Sequence, residues 1–161
     1  MAKKSLDLKV FMRELMKVEE IVSVPGPDTI LGDDGKPVML EIKVLSNSTI
    51  KKINDMYTTR TMAVDKKGFP YIQNGQVAFK VVTDTEKATG HILAEALVYP
   101  DLKDPDLMKF FDCYDVSEMA VKVFPRIDEF AHVNRAVMAA LGLNREPEDV
   151  DSGRDVDEAK N

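Results

Sequence analysis

The sequence is short of the residues that usually mark a chemical site. It holds one cysteine, two histidines and no tryptophan in 161 residues. One cysteine cannot close an internal disulfide, so a reducing compartment is expected. The histidines, His91 and His132, have no second histidine or cysteine at a metal-ligand spacing. Glu95 follows His91 by one helical turn, a pairing too common to define a metal site. The stretch "GDDGK" lacks the alternating ligands and closing glutamate of a calcium loop and reads as a turn. There is no glycine-rich phosphate loop and no nucleophile elbow. No cofactor and no metal are therefore expected. No run approaches the roughly 18 apolar residues of a membrane span. The start, "MAKKSLDLKVF", has no continuous apolar segment, so neither a membrane partner nor a signal peptide is expected.

Positive charge in excess is also missing. Net charge is −6, and it is unevenly spread. Residues 146–161 carry seven acids against two bases, which leaves 21 acids and 20 bases in the rest. No basic stripe is present to neutralise phosphates, which excludes nucleic acid as the main partner. The length suits one domain. A single α+β domain over residues 1–145 is expected, followed by an acidic tail at 146–161 too poor in apolar residues to order itself.

What is present is patterned. Leu8, Phe11, Met12, Leu15 and Met16 recur at helical spacing behind Ser5, which predicts a helix over 5–19. "EIVSV" (20–24) reads as a strand stopped by Pro25-Gly26-Pro27. "VMLEIKVL" (38–45) alternates apolar and charged residues and is the clearest strand. The two predict a small antiparallel hairpin. A Ser/Thr-rich start predicts a helix over 46–58. Residues 60–76 show no period and read as a long loop or irregular hairpin. A helix is predicted over 84–99, with Gly90 costing about 1 kcal/mol relative to alanine inside it.

The C-terminal half is predicted to be helical. In "YPDLKDPDLMKFFDCYDVSEMAVKVFP" (99–125) the acids fall where helices begin. Asp104 is an N-cap ahead of Pro105, and Ser117 is expected to cap the next helix. After Pro125 comes the longest helix, with Ile127, Phe130, Ala131, Val137, Met138 and Leu141 as its stripe and Gly142 as its C-cap. The fold class is therefore α+β: a small antiparallel sheet in the N-terminal half packed by helices, a helical C-terminal half, and the acidic tail.

Nine methionines serve either as core filler or as an adaptable surface that grips a partner. The same choice holds for the aromatics. Phe110, Phe111, Tyr114, Met119, Phe124 and Phe130 are the candidate partner-binding residues, because large aromatic and methionine anchors carry interface energy. Cys113 is either a packed side chain or, far less in keeping with its surroundings, a nucleophile needing a distant histidine.

The segment from Ala96 to Leu143 resembles the XkdN-like tail assembly chaperones of contractile-tailed phages and prophages. The resemblance rests on "YPDLKD" (99–104), "YDV" (114–116), "FP" (124–125) and "LGL" (141–143), and with the N-terminal elements it covers roughly residues 5–143. The chain departs from that pattern after Pro125, where the family often has Gly-Glu and this chain has Arg126-Ile127-Asp128-Glu129. The resemblance implies a non-enzymatic protein of the bacterial host cytoplasm, absent from the mature virion. Its implied partner is the tape measure protein, whose helices it would keep soluble during tail assembly. It also implies a longer form of the chain made by frameshifting, for which Ala159-Lys160-Asn161 could supply a slippery codon run, and it leaves room for a homo-oligomer. The alternatives are a structural baseplate or connector protein, a small enzyme using Cys113, and a generic adaptor.

Overall fold

The computed structural model describes residues 8–12 and 20–143. The predicted helix over 5–19 falls mostly outside these residues; Leu8–Phe11 form a single 3-10 turn. The predicted tail at 146–161 lies outside them too.

The first strand, β1 (Ile21–Pro25), pairs antiparallel with β2 (Met39–Lys43) from Ile21 opposite Lys43 to Pro25 opposite Met39. The connection is long but folded. Gly26 donates to the Val38 carbonyl, and Gly35 turns the chain at φ 73° beside Asp34, whose carboxylate accepts from Lys36 N–H. Leu40 and Ile42 are buried and Glu41 is exposed, so the alternation read from the sequence is the alternation of the sheet.

The helix α1 (Asn47–Met56) begins behind Ser46, whose hydroxyl accepts from Thr49 N–H at 3.3 Å. Residues 58–83, which include the aperiodic stretch 60–76, are then largely β. Strand β3 (Thr58–Met62) pairs with β6 (Phe79–Thr83), and between them β4 (Ile72–Gln73) pairs with β5 (Gln76–Val77). Asn74 and Gly75, both at positive φ, make the tight turn of the inner hairpin. The result is a two-stranded arm that belongs to neither the main sheet nor the helical layer.

The helix α2 (Thr85–Ala96) is capped by Asp84 and ends earlier than predicted. Residues Leu97–Tyr99 leave the helix to form β7, which pairs with β2 and completes a three-stranded antiparallel sheet of order β1-β2-β7. The peptide bond Tyr99–Pro100 is cis. Three helices follow: α3 (Pro105–Phe110), α4 (Val116–Val123) and α5 (Ile127–Ala140). Asp104 caps α3 as predicted. The cap of α4 is Asp115, not Ser117; its Oδ1 accepts both Ser117 N–H (2.9 Å) and Ser117 Oγ–H (2.6 Å).

The core forms where α2, α4 and α5 cover the Leu40 and Ile42 face of the sheet. Ile42, Leu93, Leu102, Met119, Val133 and Val137 are fully buried there. The helix α2 packs chiefly on α4. Gly90 explains how closely: a Cβ on it would lie 1.9 Å from the Ser117 carbonyl oxygen. The glycine that weakens α2 as a helix is thus the residue that lets α4 reach it. On α5 the buried row is Glu129, Val133 and Val137, one helical turn apart. Ile127, predicted to share the buried stripe, is 89% exposed. The carboxylate of Glu129 accepts from Thr29 Oγ–H at 2.6 Å, and His132 Nε2 donates to the Pro25 carbonyl at 3.0 Å. The two bonds tie the end of β1 and the connection after it to α5.

Candidate partner-binding surfaces

The residues that could have carried bond chemistry have structural partners. Cys113 is buried in the core, and its Sγ–H points to the Asp115 carbonyl at 3.6 Å. His91 Nδ1 hydrogen-bonds Tyr57 Oη at 2.7 Å, and its Nε2 lies 3.8 Å from Glu95. Glu95 also meets Lys103 Nζ at 3.1 Å. This chain of contacts joins α1, α2 and the β7–α3 loop. Each histidine thus has a partner other than Cys113. Among the described residues no group of three or more His, Cys, Asp or Glu side chains could hold a metal.

The six predicted partner-binding residues are split by the fold. Met119 and Phe124 are core residues, with 0% and 2% of their surface exposed. Phe111 is half-buried against the core and meets Phe110 edge to face, with ring centroids 4.9 Å apart. Phe110 and Tyr114 stand out into solvent at 79% and 71% exposed. Phe130 is half-buried and opens onto a cleft. Residue type alone suggested all six; which way each faces is set by its position on α3, α4 or α5.

The Phe130 cleft lies where α2, α4 and α5 meet. It has a volume of about 420 Å³ and is lined by Thr85, Glu86, Thr89, Val121 and Phe130. A second cleft of about 390 Å³ adjoins it, sharing Glu86 and Val121 and continuing past Lys87, Glu118 and Lys122. Val121 is exposed, and Ile127 lies one turn before Phe130 and Ala131 on the same side of α5. An apolar strip rimmed by charges of both signs therefore runs along the helical layer. Asp115, near the N-terminal end of α4, has its carboxyl held below the usual aspartate range. The Ser117 hydroxyl is the main cause; burial works against it, and Ser117 N–H, Lys87 and His91 add to it.

The arm was not foreseen as a surface. None of its residues is buried. Val64, Phe69, Tyr71, Ile72, Phe79 and Val81 are all exposed, on strands and connecting segments that hold no buried residue. Arg60 stacks over the Phe79 ring at 4.2 Å. The signal for the arm was the Asn74-Gly75 pair between short apolar runs, a strong hairpin signature that the missing alternation obscured.

Known proteins resemble the chain in fold and in family. The crystal structure of the protein YqbN, a structural genomics target, superposes with a TM-score of 0.61 at 20% identity, covering 86% of this chain and 98% of that one. That likeness shows a shared fold. Among curated proteins none matches the chain. The profile of the phage XkdN-like tail assembly chaperone protein family matches residues 8–160. That span takes in nearly the whole sequence, helical body and arm alike. The chain belongs to the XkdN-like family of phage tail assembly chaperones.

Proposed function

We propose that this chaperone binds helices of the tape measure protein in the cleft between α2, α4 and α5 and keeps them soluble until the tail tube assembles. The family supplies the setting of tail assembly. The single observation that carries the binding reading is the apolar strip of exposed Val121 and Ile127 and half-buried Phe130, set beside a cleft between helices. Ile127, 89% exposed at the start of a core helix, buries almost none of its side chain in the fold it sits on. An amphipathic helix laid into such a groove buries its own apolar face and covers the strip at once. The Glu86 and Glu118 carboxylates and the Lys87 and Lys122 ammoniums on the rim suit a client of mixed charge. The work is binding and release, without covalent chemistry. It takes place in the host cytoplasm, in a contractile-tailed phage or prophage, and the chain is absent from the finished particle.

The test is affinity capture of the tagged chain from cells expressing the tail genes, with mass spectrometry of what is bound. The expected result is recovery of a long helical tape measure protein, its loss with the Val121→Asp/Ile127→Asp double variant, and absence of this chain from purified particles. Recovery of no tail protein, or fixed stoichiometry in particles, overturns the reading.

A further inference from the structure

The arm has a problem that the client cleft does not solve. A two-stranded ribbon with no core is marginal in water. This one exposes apolar side chains along its whole length, and contiguous exposed apolar surface marks an interaction site. Its charge is opposite to that of the rest of the chain. Residues 58–83 carry Arg60, Lys66, Lys67 and Lys80 against Asp65 alone, a net +3 on a protein of net −6. The tip concentrates both properties. Asp65 accepts from Lys67 N–H (2.9 Å) and Phe69 N–H (3.0 Å), and this turn presents Lys66 and Lys67 beside exposed Phe69 and Tyr71.

A surface of matching chemistry lies on the body. Between β7 and α3 an open notch of about 450 Å³ is lined by Tyr99, Asp101, Asp104, Asp106, Leu107 and Phe110. Tyr99 and Phe110 are exposed there. Among the described residues the carboxylates of Asp101 and Asp104 each accept backbone N–H groups through Oδ1 alone. The nearest ammonium in sequence, Lys103, is drawn away to Glu95. The notch is therefore acidic and aromatic where the tip is basic and aromatic, and both stand open in the single chain.

We propose that the tip of the arm, Lys66 to Tyr71, docks in the Tyr99–Phe110 notch of a second copy of this chain, and that two copies exchange arms about a twofold axis. Exchange makes each contact twice, which suits a self-complementary dimer. Lys66 and Lys67 face Asp101 and Asp106 of the partner copy, and Phe69 and Tyr71 pack on its Tyr99 and Phe110. The pairing is independent of the client reading, since it uses neither Val121 nor Ile127.

The test is the mass of the full chain in solution by sedimentation or light scattering, with two charge-reversed variants, Lys66→Glu/Lys67→Glu at the tip and Asp101→Lys/Asp106→Lys at the notch. The wild type is expected to be a dimer that weakens with salt. Each variant alone sets like charges against each other at both contacts, and its dimer dissociation constant rises by about tenfold or more. Mixed together, the two variants restore both contacts and form a heterodimer. Circular dichroism confirms that each is folded; if the notch variant is not, Phe110→Ser replaces it, and loss of the dimer is the expected result. A wild type that stays monomeric at every concentration, variants that dimerise as well as the wild type, or a mixture of folded variants that does not associate overturns the proposal.

Discussion

The helical body and the arm are built from the same chain by opposite means. In the body, Ile42, Leu93, Met119, Val133 and Val137 are fully buried, and α2, α4 and α5 close over the sheet. In the arm no residue is buried, and what holds it is the backbone ladder from Thr58 opposite Thr83 to Met62 opposite Phe79. Folding energy is concentrated in the first region, and uncovered apolar surface is concentrated in the second. Substitutions are therefore expected to change stability most in the buried core of the body and least on the arm.

The largest test of that contrast is in the core. Leu93→Ala removes a fully buried side chain and is expected to cost about 2–5 kcal/mol. Val81→Ala, on the exposed arm, is expected to change stability by no more than about 0.5 kcal/mol. Gly90→Ala sharpens the comparison because its sign is inverted. In a free helix the change stabilises by about 1 kcal/mol. Here the new Cβ meets the Ser117 carbonyl at 1.9 Å, so α2 and α4 must part, at about 3 kcal/mol or more. Urea unfolding of the three variants ranks them; a Gly90→Ala protein as stable as the wild type would mean that α2 and α4 do not meet there.

Excising the arm is the next step down. Joining Arg60 to Val81 through Asn-Gly keeps the base of the β3–β6 ladder and removes residues 61–80. The body is expected to melt within about 1 kcal/mol of the intact chain, since the removed residues bury nothing. A body that unfolds with the arm gone would show the two regions to be one cooperative unit.

How far the sequence foretold each region follows from the same contrast. The strand around Leu40 and Ile42, the caps at Ser46 and Asp104 and the extents of α1 and α3 were legible because local pattern and local hydrogen bonding decide them. The arm was not, because strands exposed on both faces have no alternation to read. β7 was hidden inside the predicted helix: "LVY" continues a helical pattern, and only its pairing with Glu41 and Ile42, far back in the chain, draws it into the sheet. Gly90 read as a local penalty because its partner, Ser117, comes from another helix. The candidate site was half legible. Phe110, Tyr114 and Phe130 reach solvent or a cleft, while Met119 and Phe124 have gone to the core, and Val121 and Ile127 were missed as surface residues. On α5 the apolar positions fit two adjacent rows, and the row that packs is the one led by Glu129, a residue whose burial depends on Thr29.

A smaller effect is expected at Asn134. Its Oδ1 is buried on α5 with no hydrogen-bond partner among the described residues. Such an acceptor loses its water without compensation. Asn134→Leu, which has the same branched shape without the polar atoms, is expected to stabilise the body by about 1 kcal/mol. A loss of stability instead would reveal a donor that reaches this oxygen.

The smallest effect separates charge from packing within the body. Asp115 caps α4, and the Ser117 hydroxyl is the main reason its carboxyl titrates below the ordinary aspartate range. A depressed carboxyl contributes stability that is fully present above the unfolded-state value and is lost as pH falls through the folded-state value. The side chain is 44% exposed, so solvent screens the effect and it stays small. Asp115→Asn keeps a good capping oxygen and removes only the charge. The variant is therefore expected to be slightly less stable than the wild type at neutral pH, with the gap closing in acid as the wild-type carboxyl takes up its proton. Urea midpoints at a series of pH values measure the gap. A gap that holds constant into acid would assign the role of Asp115 to geometry alone, and the Lys87 ammonium 3.9 Å away would then contribute nothing to joining α2 and α4.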